Sequence, residues 1–434
     1  MPSAPSAARG FSPLDEELHL LPGEFTPTVV ESMVRLGAWM PFTPGSRMID
    51  HFIKVTVSES KVRRTTEGAG EAYVEVQTAE VERLRRETPE SPEGPALQQL
   101  SVDGAMVPLV KGRWAEVKTL AIGTVKWSTP VLQEAVKGQQ EAHTGEISYF
   151  SRMADHESFG QQALVEIYRR GVEKAGVVCG VNDGAEWEQG FIDYHRPDAV
   201  RILDWGHSSE YIGKAGQAVY GAGTAETSEF VGKQLHELKP GDPDKVLAAL
   251  RGLEGEVALR VEEGRREEVV KVVLGSLAYL EKRREQIRYA EFVAAGYPIG
   301  SGVVESANKL VVEARLKGSG MHWADEQVNP MLALRNVVCS DRWDEAWEEI
   351  SEQLRQQVRE RKAALRAERQ EKAGRAEEAV LEVVAAEPAR QAPVAATAAK
   401  TQASPRAVEE PTTSGPRRPG KDHPWRHMPI GQPR

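Results

Sequence analysis

The spacing of apolar residues divides the chain into stretches with different periods. Residues 26–40, TPTVVESMVRLGAWM, carry apolar positions at helical spacing after a Thr-Pro start, and residues 44–53 repeat it. A turn around Val55 to Val57 leads into SESKVRRTTEGAG, where Ser58 is placed to cap a third short helix ended by Gly68 or Gly70. Two helices joined by a short turn have the outline of a helix-turn-helix, which makes Lys61, Arg63 and Arg64 candidate DNA contacts. A small three-helix pack without DNA contacts has the same outline. Residues 71–87 continue as a charged helix, so 23–87 form one helical domain. The Pro, Glu and Gly content of 88–97 marks a linker.

After the linker the period shortens. LQQLSVDGAMVPLV, WAEVKTLAIGTVKW, GVVCGVNDG and AVRILDW are apolar or alternating runs bounded by Gly, Pro and Asp, as strands are. The order is three closely spaced strands, a helix over 158–175, a strand, a short helix around 186–194 and a further strand. This predicts an α/β layer fold with a mixed sheet that begins with a meander. From 216 to 295 the pattern is helical again, an insertion between the last strand and the core segment 296–340. Residues 341–386 read as a long charged helix. Residues 1–22 and 387–434 hold too little apolar surface to order themselves, and read as a flexible start and a disordered tail.

YPIGSGVVESANKLVVEARLKGSGMHW, residues 297–323, reads as a loop feeding a helix with one isolated acid, Glu305. At about 100° per residue, Val303, Ala307, Leu310, Val311 and Ala314 share one side, and Glu305, Asn308, Lys309 and Val312 the other. Ser301 is a candidate N-cap, and Gly318 and Gly320 close the helix with Arg315 and Lys317 in its last turn. Lys309, Arg315 and Lys317 are candidate phosphate contacts, and equally plain solvated charges.

Composition narrows the classes. No window approaches the roughly 18 consecutive apolar residues of a membrane span. The N-terminus lacks the basic and apolar regions of a signal peptide, so the expected place is the cytoplasm, with no membrane partner. Cys179 and Cys339, far apart in apolar runs, exclude a cysteine zinc site. The net charge of −10 opposes a nucleic-acid role, yet the cations are clustered, as at 282–284 with Arg288 and at 417–426.

Two strands run into the same tripeptide, Asp103-Gly104-Ala105 and Asp183-Gly184-Ala185. Strand-end side chains of an open α/β sheet project into the crevice where ligands bind. If the first and fourth strands are neighbours, Asp103 and Asp183 approach one another, and Glu305 from a helix across the sheet completes a carboxylate cluster. Two unit charges about 4 Å apart repel by roughly 4 kcal/mol at an effective dielectric of about 20, so such a cluster calls for a cation. Carboxylate oxygens select Mg²⁺ or Mn²⁺, and two such ions about 3.5–4 Å apart serve in-line phosphoryl transfer. Asp-Gly pairs are also ordinary turn formers, and 65 of the 434 residues are acidic, so strand-end aspartates arise by chance as well. The next strand ends in Asp204-Trp205-Gly206-His207, an Asp-x-x-His just before the helical insertion.

The series LSVDGAMVPLV, VNDGAEW, ILDWGH, a helical insertion and GYPIGSGVVESANKLVVEARLKGSGMHW resembles the DDE transposases of bacterial insertion sequences of the Kra type, relatives of the Mutator-like group, from about Gly10 to Trp343. The resemblance implies a ribonuclease-H-like core over 98–215 and 296–340, with Asp103, Asp183 and Glu305 as catalytic, metal-binding triad and Asp204 and His207 as accessory residues. It implies two Mg²⁺ or Mn²⁺ ions, double-stranded DNA as partner (element ends and target), a nucleoid-associated homo-oligomer, and DNA strand cleavage and transfer. Members of that family carry a further N-terminal region, often with paired cysteines; MPSAPSAAR stands here instead, which leaves recognition of the element ends in question. A transposase relic that only binds DNA, and a structure-selective nuclease on the same fold, are the rival expectations.

Overall fold

The computed structural model describes residues 21, 24–128 and 141–386. The expected flexible start, apart from Leu21, and the expected tail with its basic cluster lie outside the described residues. Met1–Ala367 form one compact unit, and a second runs from Glu368. The described part of the second is helical and carries the pairs Glu368–Lys372 and Glu371–Arg375 at 2.6 Å.

The first unit opens with helices α1 (Pro27–Trp39), α2 (Phe42–Ile53) and α3 (Glu59–Glu87). Ser58 caps α3 as its sequence position suggests, its side chain accepting from the Lys61 amide at 3.2 Å. The short helix expected to stop at Gly68 or Gly70 does not stop: α3 runs unbroken for 29 residues. Gly70 serves close approach instead, since a Cβ there would collide with the main-chain carbonyl of Pro330.

The sheet follows as β1 (Leu97–Pro108), β2 (Trp114–Ser128) and β3 (Glu141–Arg152), then β4 (Val177–Asn182) and β5 (Val200–Leu203). The spatial order is β3-β2-β1-β4-β5, with β1–β2 and β2–β3 antiparallel and β1–β4 and β4–β5 parallel. The expected mixed sheet with an opening meander is therefore present, and the first and fourth strands are neighbours.

Alternation in β1 sends Leu100 and Val102 to one face and Asp103, Ala105 and Val107 to the other. Helices α4 (His156–Arg169) and α5 (Glu186–His195) cover the first face, packing Phe159, Ala163, Phe191 and Ile192 on Leu100, Val102, Leu120 and Phe150. Asp155 caps α4, accepting from the Ser158 amide at 2.9 Å. The second face is covered by α11 (Gly302–Ala307), the π-helical turn Asn308–Glu313 that continues it and α12 (Asp325–Cys339), which set Val304, Val311, Met331 and Leu332 against Val107, Val117 and Ala121.

Between β5 and α11 lie α6 (Trp205–Tyr220), α7 (Ala225–Leu238), α8 (Pro243–Arg260), α9 (Arg266–Lys282) and α10 (Tyr289–Ala295). They share a core of their own, including Val246, Leu250, Leu277 and Leu280, that joins the edge of the sheet at Cys179, Val181 and Ile202. Helix α13 (Trp343–Ala386) is the last described element. Among the described residues no helix is long and apolar enough to cross a membrane.

Candidate metal centre where β1 and β4 part

The crevice follows from how β1 and β4 part. Their parallel ladder pairs Leu97 with Val177 through to Leu100 with Gly180. Beyond it the Val102 amide donates to the Asn182 side-chain oxygen at 2.7 Å, so a side chain replaces the next ladder bond and the strands can separate. The same register sets Asp103 level with Asp183. One ligand oxygen from each of Asp103, Asp183 and Glu188 lies within 4.8 Å of the others, a group that could hold a metal ion.

Each acid is held by its surroundings. Asp103 Oδ1 accepts from the Gly104 amide at 2.6 Å, and Oδ2 from Asn308 Nδ2 at 2.8 Å. Burial raises its pKa, and repulsion from Asp183 and from Glu305 adds to that, while the Gly104 and Asn308 hydrogen bonds oppose it. Asp183 Oδ1 accepts from the Ala185 amide at 2.8 Å. Glu188, in the first turn of α5, accepts through Oε2 from the Gly184 and Ala185 amides at 3.0 and 3.1 Å. Burial, with Asp183 as neighbour, pushes Glu188 up to about 10. Three carboxylates that resist sharing charge in so small a space offer the hard oxygen donors a divalent cation takes. A second acceptor stands close by, since Asn308 Oδ1 is buried without a hydrogen-bond partner.

The expected residues fall into three groups. Asp103 and Asp183 come together in the cluster. Glu305 is exposed on α11, outside the cluster, and acts on Asp103 as a repulsive charge. Asp204 and His207 lie beside it. Asp204 caps α6, its Oδ2 accepting from the His207 amide at 2.8 Å, while Oδ1 accepts from the Ser301 amide at 2.7 Å. It thereby anchors the entry to α11, which Ser301 itself does not cap. His207 Nε2 stands 3.9 Å from Asp183 Oδ2.

The candidate phosphate contacts divide as well. Arg63, Arg64 and Lys309 are exposed, and Lys61 lies with its ammonium 5.6 Å over Phe25. Lys317 pairs with Glu313 at 2.8 Å. Arg315 is only 1% exposed. It lies four residues after Val311 on the buried stripe, donates to the Gly37 carbonyl at 3.0 Å and sits over the Phe42 and Trp323 rings, so it ties the core to α1 instead of facing solvent. In the basic run 282–288, Arg283 is buried on the Gly184 carbonyl, while Lys282, Arg284 and Arg288 form surface pairs with Glu186, Asp244 and Glu285.

Glu188 and Asn308 escaped the sequence reading. Glu188 had a signal, an acid in the first turn of the helix that follows a strand-end Asp. Asn308 had only its place on the Glu305 face. No protein-family profile and no curated protein sequence matches the chain.

Proposed function

We propose that the chain is a DDE transposase with a ribonuclease-H-like core, which cleaves DNA strands at insertion-sequence ends and transfers them with the help of divalent metal. The observation that carries this reading is the meeting of Asp103 and Asp183 at the parting of β1 and β4. The helix after the insertion adds to it by handing Asn308 to Asp103. The strand order, a meander leading into two parallel strands, supports it as a mixed α/β sheet that sets the two aspartates on neighbouring strands.

In this reading Asp103 and Asp183 would hold two Mg²⁺ or Mn²⁺ ions, with Glu305 as the third catalytic acid and Glu188 available as a further carboxylate. When bound, the ions would lower the pKa of the attacking water or DNA 3′-hydroxyl and stabilise the leaving oxygen. The chain's own residues supply position. Asn308 fixes the Asp103 carboxylate, and Asp204 ties the entry of α11 to the start of α6, on the helix whose Glu305 acts on Asp103 as a repulsive charge. His207 keeps an imidazole beside Asp183. In this reading exposed Lys309 would meet a DNA phosphate, and exposed Arg63 and Arg64 of α3 would meet the duplex.

The test uses the full chain and a supercoiled plasmid carrying its gene with the natural flanking DNA. Wild type is expected to nick at fixed positions only with Mg²⁺ or Mn²⁺. Asp103→Asn, Asp183→Asn and Glu305→Gln should each lower cleavage by at least about 100-fold, beyond the roughly 10–100-fold of a supporting residue. DNA retention in a gel shift should stay near wild type. Cleavage that survives in Asp103→Asn and Asp183→Asn, or that needs no divalent ion, overturns the reading.

A further inference from the structure

Helix α9 of the insertion reaches back to the loop that carries Asp183. Tyr279 donates its hydroxyl to the main-chain carbonyl of Asp183. One turn on, Arg283 places Nε and Nη2 on the Gly184 carbonyl at 3.2 and 2.5 Å, and Nη1 on the Tyr279 carbonyl at 3.0 Å. Its guanidinium carbon lies 3.7 Å from the centre of the Tyr279 ring. That ring stacks on Tyr211 of α6, with centroids 3.8 Å apart and planes 9° from parallel. Lys282 pairs with Glu186 at 2.9 Å and extends the contact to the start of α5.

These contacts exceed what docking the insertion needs, since it has its own apolar core against the edge of the sheet. Taking a guanidinium out of water costs several kcal/mol unless its donors are satisfied, roughly the scale on which a buried ion is penalised. Arg283, 9% exposed, meets that cost with carbonyls of a single loop and of its own helix. A planar fork on one carbonyl fixes direction as well as distance. The loop is set from the other side too: Gly184 has φ +87°, and a Cβ there would collide with Arg283 Nε and press on Leu203. Two successive carbonyls of the chain that leaves Asp183 are therefore pinned by the last turn and C-cap of one helix of the insertion.

We propose that Tyr279 and Arg283 are positioning residues for Asp183: they hold the carbonyls of Asp183 and Gly184 so that the Asp183 carboxylate stays beside Asp103. The inference rests on the reading of Asp103 and Asp183 as metal ligands. The insertion then acts on the site through the backbone and without touching metal or DNA. The test measures Mn²⁺ affinity of the full chain by electron paramagnetic resonance titration, with DNA cleavage kinetics beside it. Asp183→Asn should abolish binding. Tyr279→Phe, which removes one oxygen and keeps the ring stack, should weaken affinity by roughly 10-fold and lower kcat with little change in KM for DNA. Arg283→Lys, which keeps the charge and loses the fork, should do the same. A merely structural role would lower the melting temperature and leave the Mn²⁺ affinity of the folded protein unchanged. If Asp183→Asn abolishes Mn²⁺ binding while Tyr279→Phe and Arg283→Lys bind as wild type, the positioning role is wrong and the metal reading stands. If Asp183→Asn binds as wild type, the metal reading fails and this inference falls with it. Should Arg283→Lys not fold, Tyr279→Phe decides alone.

Discussion

At the scale of single residues, the crevice holds more negative charge than its surroundings neutralise. Asp103 and Glu188 both have pKa values raised by burial and by their acidic neighbours. The folded protein therefore keeps protons on these groups that the unfolded chain has released. Where the folded state binds more protons, stability falls as pH rises. For Glu188 the window runs from its unfolded value of about 4.3 to about 10. Melting temperature without metal should drop across this range, Glu188→Gln should flatten the drop, and Mn²⁺ should restore stability most at its alkaline end. A melting temperature that rises through the window in metal-free protein would contradict the charge account. Asp204 has a different task, since its two oxygens serve two main-chain amides and neither is counted in the metal cluster. Asp204→Ala should cost about 1–3 kcal/mol in urea unfolding by orphaning both amides, chiefly the buried one at Ser301.

At the scale of elements, the Glu305 helix shows how far sequence reading reaches. The helix, its position after an insertion and the exposed side of Glu305 were legible from spacing alone. The buried stripe was not. Residues Asn308–Glu313 form a π-helical turn, so beyond Ala307 the buried positions are Asn308, Val311, Val312, Arg315 and Leu316, and Asn308 and Val312, expected on the Glu305 side, are among them. The regular 100° spacing expected Leu310, Val311 and Ala314, of which Leu310 and Ala314 are exposed. An extra residue in a turn is set by tertiary partners and leaves no periodic trace. The partner here is Arg335 of α12, 1% exposed, which donates to the carbonyls of Leu310, Val311 and Ala38. Arg335→Met keeps much of the volume and removes three hydrogen bonds to main-chain carbonyls, so it should cost about 2–4 kcal/mol in chemical denaturation. The strand faces were easier to read, because alternation marks them, but the Asp-Gly pair marks an end only at β4: β1 stays paired with β2 for five residues beyond Asp103, to Pro108. The Tyr279 and Arg283 contacts with the Asp183 loop span nearly a hundred residues and carried no local signal.

At the scale of the molecule, the N-terminal helices are built into the same compact unit as the sheet. Arg315 and Arg335 reach the carbonyls of Gly37 and Ala38 at the end of α1, and Arg152 of β3 reaches Gln77 of α3. Burial lowers Arg152 and Arg315 to about 10, so both remain charged at neutral pH. Gly70→Ala, which drives a methyl into the Pro330 carbonyl, should therefore destabilise the whole unit by about 1–3 kcal/mol. Unfolding followed by tryptophan fluorescence and by circular dichroism should stay coincident, because the helices do not melt apart from the sheet. Such rigidity matters for the proposed chemistry, since it fixes where Arg63 and Arg64 stand relative to the crevice. The claim on which the account turns is that this crevice holds metal. Crystals soaked in Mn²⁺ and measured at the manganese edge address it directly. The account predicts anomalous density between the carboxylates of Asp103 and Asp183, lost in Asp103→Asn; density elsewhere, or none at saturating Mn²⁺, would contradict it.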